Sequence, residues 1–438
     1  MNRSIALFLM LMLTFVVSIA QNPTLKRKAQ LDFRVRKISD APGARVTSVN
    51  GNSPAYKAGL RTGDLLITVN DHDLPDENVL YGHLGALKGG EPVRLSVFRD
   101  NRQLSISFTP AAAPFESYQT LELEAITLTN NSGDLLRAFV TKPKNAKGKL
   151  PAILFVSWLS CGTVELPERD DSWTKMLREV AEKSGALMMR VEKPGVGDSG
   201  GPPCAECDLL TELDGYKAAW RHLKQRPDVD TTNIIVFGAS LGGTLASIVG
   251  KSQPVKAYVS AVSVYKTWLE HMIELERRRL QYSGKTQSEI NALMPGYIEF
   301  HTDYMNYKKT PEEIILEKPH LAPLWYDEPR HQYGRPAKFY MQTQDFNFLE
   351  TWGNTTAPVL FVAGEYDWIM SLDDSQIVTD MINQKTPGRA TRYVAKGMDH
   401  HWSVYANAQN AFDESNGTYA QETVTEMITW IRKMIAQP

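Results

Sequence analysis

The chain has 438 residues, with 48 Lys and Arg against 50 Asp and Glu, a formal charge of −2 at pH 7. That balance lacks the concentrated positive charge a nucleic-acid partner requires. Hydrophobic residues at 42% and charged residues at 22% are ordinary globular usage, which excludes collagen-like, coiled-coil, multi-span membrane and largely disordered chains.

The first twenty residues form a separate class. Arg3 precedes an apolar run from Ile5 to Ile19, and Ser18-Ile19-Ala20 sets small residues before a cut ahead of Gln21. This is the layout of a secretory signal peptide over residues 1–20. The competing reading is an uncleaved anchor. The run is short for a span, although Lys26, Arg27 and Lys28 beyond it suit an anchor of reversed orientation. Cleavage implies export to the periplasm or the extracellular space, with no stable membrane span after processing. An oxidising compartment makes Cys161, Cys204 and Cys207 disulfide candidates.

From residue 31 to 110, short strands alternate with Gly, Asn and Asp turns. Arg45–Val49 alternates as a half-buried strand and ends in Asn50-Gly51. Ser53-Pro54-Ala55 opens a short helix over Tyr56–Leu60, with Ser as N-cap and Pro in the first turn. A strand over Leu65–Val69, a helix over Glu77–Leu87 and strands over Val93–Arg99 and Gln103–Phe108 follow. Ser53-Pro54-Ala55, Ala58-Gly59-Leu60, Gly63-Asp64-Leu65-Leu66 and Val69-Asn70 together resemble the core signature of a bacterial PDZ domain. The resemblance implies an extended peptide partner, often a C-terminus, added to the sheet edge. It places the peptide-binding loop at Pro42, Gly43, Ala44 and Arg45, leading into Val46. The alternative is a structural cover or dimer contact with an empty groove.

Beyond a linker at 111–114, Leu121–Thr129 and Leu136–Lys142 read as a hairpin. Short aliphatic runs then alternate with helices. The runs are Ala152–Val156, Ala186–Val191, Ile234–Phe237, Ala257–Val262 and Val359–Val362, and the helices are Trp173–Lys183, Leu209–Gln225 and Thr244–Gly250. This texture is α/β, with a mostly parallel sheet covered on both faces.

Within it, Gly238-Ala239-Ser240-Leu241-Gly242-Gly243 links a strand to a helix. Gly-x-Ser-x-Gly in that context is a nucleophile elbow, because side chains two positions either side of a strained serine would clash. The bland reading is a glycine-rich turn. Acid and base must follow the serine in the chain. Ala363-Gly364-Glu365-Tyr366-Asp367 follows a strand and offers Asp367, with Glu365, Asp373 and Asp374 as solvated competitors. His400 and His401, in Gly397-Met398-Asp399-His400-His401, are the histidines after it, and His400 is the better match.

These motifs resemble the α/β-hydrolase superfamily of serine hydrolases. The resemblance implies a triad of Ser240, Asp367 and His400. It implies an oxyanion hole from the backbone N–H of Leu241 and that of Leu159 or Trp158. It also implies a domain over 112–438 whose insertion at 264–355 caps the site. That insertion holds many aromatic residues, read mainly as the cap's own core, and an Arg277–Arg279 cluster read as a solvated face. Arg190–Ser199 reads as a loop without chemistry. A Cys161–Cys204 disulfide would brace the rim and leave Cys207 odd, with Cys204–Cys207 the competing pairing. No cofactor and no metal are implied.

The expected function is ester cleavage on a small-molecule substrate. The alternatives are a peptidase of prolyl-oligopeptidase type, or a silent binding protein.

Overall fold

The computed structural model describes residues 25–437 except 39–42, 75–76, 252 and 328. The signal-peptide expectation at 1–20, and Pro42 of the peptide-binding loop, lie outside the described residues.

The N-terminal unit comprises β1 (Phe33–Lys37), β2 (Ala44–Val49), α1 (Pro54–Lys57), β3 (Leu65–Val69), β4 (His72–Asp73), α2 (Glu77–Ala86), β5 (Val93–Arg99) and β6 (Arg102–Phe108). Its strands form an antiparallel sheet in the order β1-β2-β3-β5-β6, with β4 on β3. Alternation buries Val93, Leu95 and Val97 of β5 against Val46, Leu66, Leu80 and Leu84. Ser53 Oγ accepts from Tyr56 N–H at 3.1 Å, so α1 starts at the cap and proline expected. It ends at Lys57, earlier than the sequence pattern suggests, because Gly59 takes φ +109°.

One expectation is corrected here. Gly43–Val46 cannot receive a peptide strand, because β2 lies between β1 and β3 and Ala44 and Val46 are core residues. Among the described strands the outer edges of the sheet are those of β1, which pairs with β2 alone, and β6, which pairs with β5 alone.

The second unit begins with β7 (Leu121–Thr129), β8 (Leu135–Pro143), β9 (Leu150–Val156), α3 (Ser172–Lys183), β10 (Leu187–Val191), α4 (Leu209–Gln225), β11 (Val229–Ala239), α5 (Leu241–Val249) and β12 (Ala257–Ala261). An insertion follows, with helices α6 (Trp268–Tyr282), α7 (Gln287–Met305), α8 (Pro311–Glu317), α9 (Ala337–Gln344) and α10 (Phe348–Gly353) and the small hairpin β13 (His331–Gln332) and β14 (Arg335–Pro336). The sheet resumes with β15 (Val359–Gly364), α11 (Leu372–Lys385) and β16 (Ala390–Ala395), and the chain closes with α13 (Gln421–Ala436), after β17 (Ser403–Val404), α12 (Ala408–Phe412) and β18 (Thr418–Tyr419).

The strand order is β7-β8-β10-β9-β11-β12-β15-β16, antiparallel through β7, β8 and β10 and parallel from β10 onward. Both faces are covered, α4 and α5 on one and α3 and α13 on the other, so β9, the second half of β11 and β12 apart from Ser260 are apolar. β11 runs longer than its apolar stretch, starting at Val229, since an edge-on pairing with Leu150 adds to it.

The segment before β1 ties the two units together. Arg27 Nη1 donates to Asp198 Oδ1 at 2.9 Å and Arg27 Nη2 to Glu165 Oε1 at 2.5 Å, while Lys88 Nζ donates to Gly197 O at 2.8 Å.

Inside the second unit, Arg190 is fully buried. It pairs with Glu116 and donates to Val164 O at 2.6 Å. Burial works to raise the Glu116 carboxyl, but Arg190 and the hydrogen bonds to Glu116 outweigh it and hold the carboxyl below its ordinary 4.5. A depressed carboxyl contributes stability above its unfolded value and loses it as pH falls. We therefore predict that Arg190→Met costs about 3–5 kcal/mol at pH 7, through the charge left behind. The gap to wild type should narrow below pH 4.5. Urea unfolding across that range checks both, and a cost under about 1 kcal/mol at pH 7 contradicts the pairing's importance.

Candidate active site

β11 delivers Ser240 to the mouth of the sheet in a strained conformation, φ +56° and ψ −132°, a region that costs a non-glycine residue about 1–3 kcal/mol. The flanking glycines make it feasible. A Cβ at Gly238 would lie 2.2 Å from Gly242 O, and one at Gly242 would lie 2.0 Å from Val156 O. Ser240 N–H donates to Ala261 O at 2.9 Å, pinning the elbow to the end of β12. α5 therefore starts at Leu241, three residues before the apolar pattern suggests.

His400 and Asp367 converge on this serine from the turns after β16 and β15. His400 Nε2 lies 3.1 Å from Ser240 Oγ, and His400 Nδ1 lies 2.9 Å from Asp367 Oδ2. The other Asp367 oxygen accepts from the N–H groups of Ile369 at 3.0 Å and Met370 at 2.8 Å, which fixes the carboxylate. All three side chains belong to buried residues. Burial pushes the His400 imidazolium down, but the Asp367 carboxylate beside it wins and holds its pKa above 6.5. Asp399 adds to that pull, and burial raises its own carboxyl to about 6.

The competing residues sit elsewhere. His401 accepts from Trp173 Nε1–H at 3.3 Å, and burial lowers it to about 4. Glu365 is exposed and accepts from Gly397 N–H at 2.7 Å. Asp374 departs from the solvated loop role expected of it. It is buried, accepts from Tyr265 N–H at 3.1 Å and pairs with Lys266 at 3.0 Å.

The loop after β9 lies beside the elbow. Ser157 Oγ and Tyr216 OH are 2.7 Å apart, and a Cβ at Gly242 would lie 2.4 Å from Ser157 O, so that carbonyl faces the elbow. Lys193 Nζ donates to the carbonyls of Trp158, of Leu159 at 3.0 Å and of Ser160 at 2.8 Å. Burial pushes this ammonium down to about 8, against the pull of Glu212 at 3.4 Å. Among the described residues, the N–H groups of Leu159 and Leu241 have no backbone acceptor. Cys161, which ends the loop, is joined to Cys204, and Cys207 is free and buried.

A cavity of about 680 Å³ opens over Ser240 and His400. Trp158, Trp173 and Trp368 line it, with Trp268, His271 and Tyr333 from the insertion. Of the insertion's aromatics, Tyr297 is buried in a small cluster of its own helices, Phe300, Tyr304, Phe339, Tyr340 and Phe348 are buried in a core continuous with one face of the sheet, and Tyr333 lines the cavity. Trp268 and His271 of α6, which the sequence reading did not name, also line it. Their spacing with Leu275, at i, i+3 and i+7, was the available signal for one helix face. Nor is the Arg cluster a plain solvated face. Arg278 donates to Trp368 O and Ile369 O at 2.8 Å each, and Arg279 pairs with Glu276 at 2.7 Å. Among the described residues, no group of three His, Cys, Asp or Glu is arranged to hold a metal, and no helix is long and apolar enough to cross a membrane.

Comparison with known proteins bears mainly on the first unit. The PDZ domain family matches residues 29–109. A probable periplasmic serine endoprotease DegP-like of Marinomonas sp. (strain MWYL1) is 36% identical over 72 residues, 16% of this chain and 15% of that protein. An alpha/beta hydrolase domain-containing protein of Arabidopsis thaliana is 33% identical over 94 residues, 22% of this chain and 29% of that protein. The chain thus spans less than a third of each of these relatives.

Among solved structures, a Pyrobaculum calidifontis esterase aligns with 74% of this chain and 88% of its own, at 20% identity and a TM-score of 0.43. A Pyrococcus furiosus esterase aligns with 73% and 96%, at 12% identity and a TM-score of 0.46. At those scores the fold rests on the strand order itself, which is that of an α/β-hydrolase sheet following a PDZ domain.

If the Asp367 carboxylate is what sustains the His400 imidazolium, Asp367→Asn leaves burial opposed by Asp399 alone. We predict that the His400 pKa then drops below 6.5, read by NMR titration of the ring. A value unchanged from wild type contradicts that cause.

Proposed function

We propose that this chain is an exported serine hydrolase that cleaves carboxylic esters through an acyl-enzyme on Ser240. The observation that carries the reading is the continuous hydrogen-bonded line from Ser240 Oγ through His400 to Asp367, at 3.1 and 2.9 Å. Ser240 Oγ attacks the acyl carbonyl carbon and gives its proton to His400 Nε2. His400 returns that proton to the leaving alcohol, then takes one from the water that releases the acid. Asp367 holds the imidazole tautomer that presents Nε2 as acceptor. The oxyanion would accept from Leu241 N–H and, across the cleft, Leu159 N–H, whose peptide turns its carbonyl toward Lys193. Trp158 N–H is the weaker candidate, since Ser157 O faces the elbow and the following N–H points the other way.

The four tryptophans favour a substrate with a bulky, flat acyl group. In domain terms the proposal is a signal peptide at 1–20, a PDZ domain at 31–110 and a hydrolase domain at 112–438 capped by 264–355. The Cys161–Cys204 disulfide supports an oxidising destination, and the matching PDZ relatives are named as periplasmic. An extended peptide would add to the outer edge of β1, one of the sheet's two edge strands.

Three outcomes test this. A fluorophosphonate should leave one adduct on the mature protein, absent in Ser240→Ala, and that variant should lose on the order of 10⁵–10⁶ in kcat. The p-nitrophenyl ester of 3-phenylpropanoate should exceed the acetate in kcat/KM by on the order of 10–100-fold, because burying roughly 100 Å² of ring is worth about 2.5 kcal/mol. The neutral form of His400 is the base, so kcat/KM should fall as pH drops, with a midpoint above the ordinary 6.5. Peptide cleavage without ester turnover would contradict the ester reading, and full activity in Ser240→Ala would contradict the nucleophile.

A further inference from the structure

The loop from Arg190 to Ser199, to which the sequence assigned no chemistry, grips the loop that follows β9. Lys193 and its neighbour Glu192 do this from adjacent positions. Glu192 accepts from Thr163 Oγ1–H and from Val164 N–H at 3.1 Å, so it holds the far end of that loop. Lys193 Nζ holds the near end through three successive carbonyls, Trp158, Leu159 and Ser160. An ammonium has three N–H donors, and here each meets a carbonyl. The Lys193 side chain is 1% exposed, with Glu212 as its counter-charge at 3.4 Å.

Trp158, Leu159 and Ser160 line the cavity and Lys193 does not, so the loop lies between the ammonium and the substrate space. In a trans peptide the carbonyl and the following N–H point in opposite directions. Pulling the Trp158 and Leu159 carbonyls toward Lys193 therefore turns the N–H groups of Leu159 and Ser160 away from it.

We propose that Lys193 is a positioning residue for the oxyanion hole: it fixes the peptide planes after β9 so that Leu159 N–H faces the acyl oxygen above Ser240. This rests on the acyl-enzyme reading above. Lys193 never touches substrate, and its removal loosens a donor instead of deleting it. The effect should therefore fall short of the 10²–10³ in kcat lost when an oxyanion donor is removed outright.

The test is Lys193→Met, which keeps the apolar stem and removes all three donors, assayed beside Ser240→Ala on p-nitrophenyl 3-phenylpropanoate. Two inhibitors separate positioning from a general collapse of the site. 1,1,1-Trifluoro-4-phenylbutan-2-one forms a hemiketal: Ser240 Oγ bonds to the carbonyl carbon, the C=O π electrons move onto oxygen, and the hydroxyl proton passes to His400. 4-Phenylbutan-2-one fills the same space without that adduct.

We expect kcat to fall about 10–100-fold with KM within about threefold, below the ceiling set by outright donor loss. The trifluoroketone should weaken by the same factor as kcat/KM, and the plain ketone should stay within about threefold. A kcat within about threefold of wild type, or equal weakening of both ketones, overturns the assignment. If Lys193→Met does not fold, Lys193→Gln, which keeps two donors, should show a smaller loss of the same pattern, and wild-type kinetics there would overturn it. Wild-type turnover in Ser240→Ala would instead overturn the acyl-enzyme reading.

Discussion

Gly242 leaves no room for a methyl group, since a Cβ there would meet Val156 O at 2.0 Å and Ser157 O at 2.4 Å. That contact sets the first turn of α5 directly against the end of β9. The strained serine and the loop that follows β9 become neighbours because of it. Gly238, four residues earlier in β11, applies the same restriction against Gly242 O at 2.2 Å. The strain at Ser240 is over-determined by the parallel strands on either side, which fix where β9, β11 and β12 end. Rigid strand ends then place Ser240, while the turns after β15 and β16 bring Asp367 and His400 to it.

Around this centre several charged groups are buried in pairs, which is costly unless geometry is good. Arg190 answers Glu116, Lys193 answers three carbonyls and Glu212, and Arg335 from the insertion also pairs with Glu212. These pairs join the loop after β9, the loop after β10 and the insertion into one framework, with the Cys161–Cys204 bond closing it. The arm at Arg27 attaches the PDZ domain to the same framework through Asp198 and Glu165. The α/β unit therefore presents its cleft on elements that few side chains are free to disturb.

Much of this was legible in the sequence. The sheet announced itself by apolar runs too long for alternation, as at Ala152–Val156, and the elbow by glycines at fixed offsets from Ser240. Asp367 and His400, chosen by chain order after the serine, lie within hydrogen-bond reach of one another and of Ser240, and Cys161 with Cys204, chosen by the strand ends that precede them, are bonded. The misreadings have a common physical cause: they concern which edges and surfaces are free. Ala44–Val46 has the composition of any half-buried strand, and only the pairing of β2 on both sides shows that no peptide can add there. Asp374 and Lys193 look like solvated charges because sequence does not reveal burial. Lys193 in particular sits in a Pro and Gly loop whose partners are 33–35 residues earlier in the chain.

The most direct test of the account is a crystal structure of the adduct formed by the mature protein with an aryl-alkyl fluorophosphonate. The account predicts phosphorus bonded to Ser240 Oγ and the alkyl-aryl arm among the tryptophans. The phosphonyl oxygen should lie about 3 Å from both Leu241 N and Leu159 N, the reach of an oxyanion donor. An adduct on another residue, or a phosphonyl oxygen turned away from both N–H groups, would contradict it.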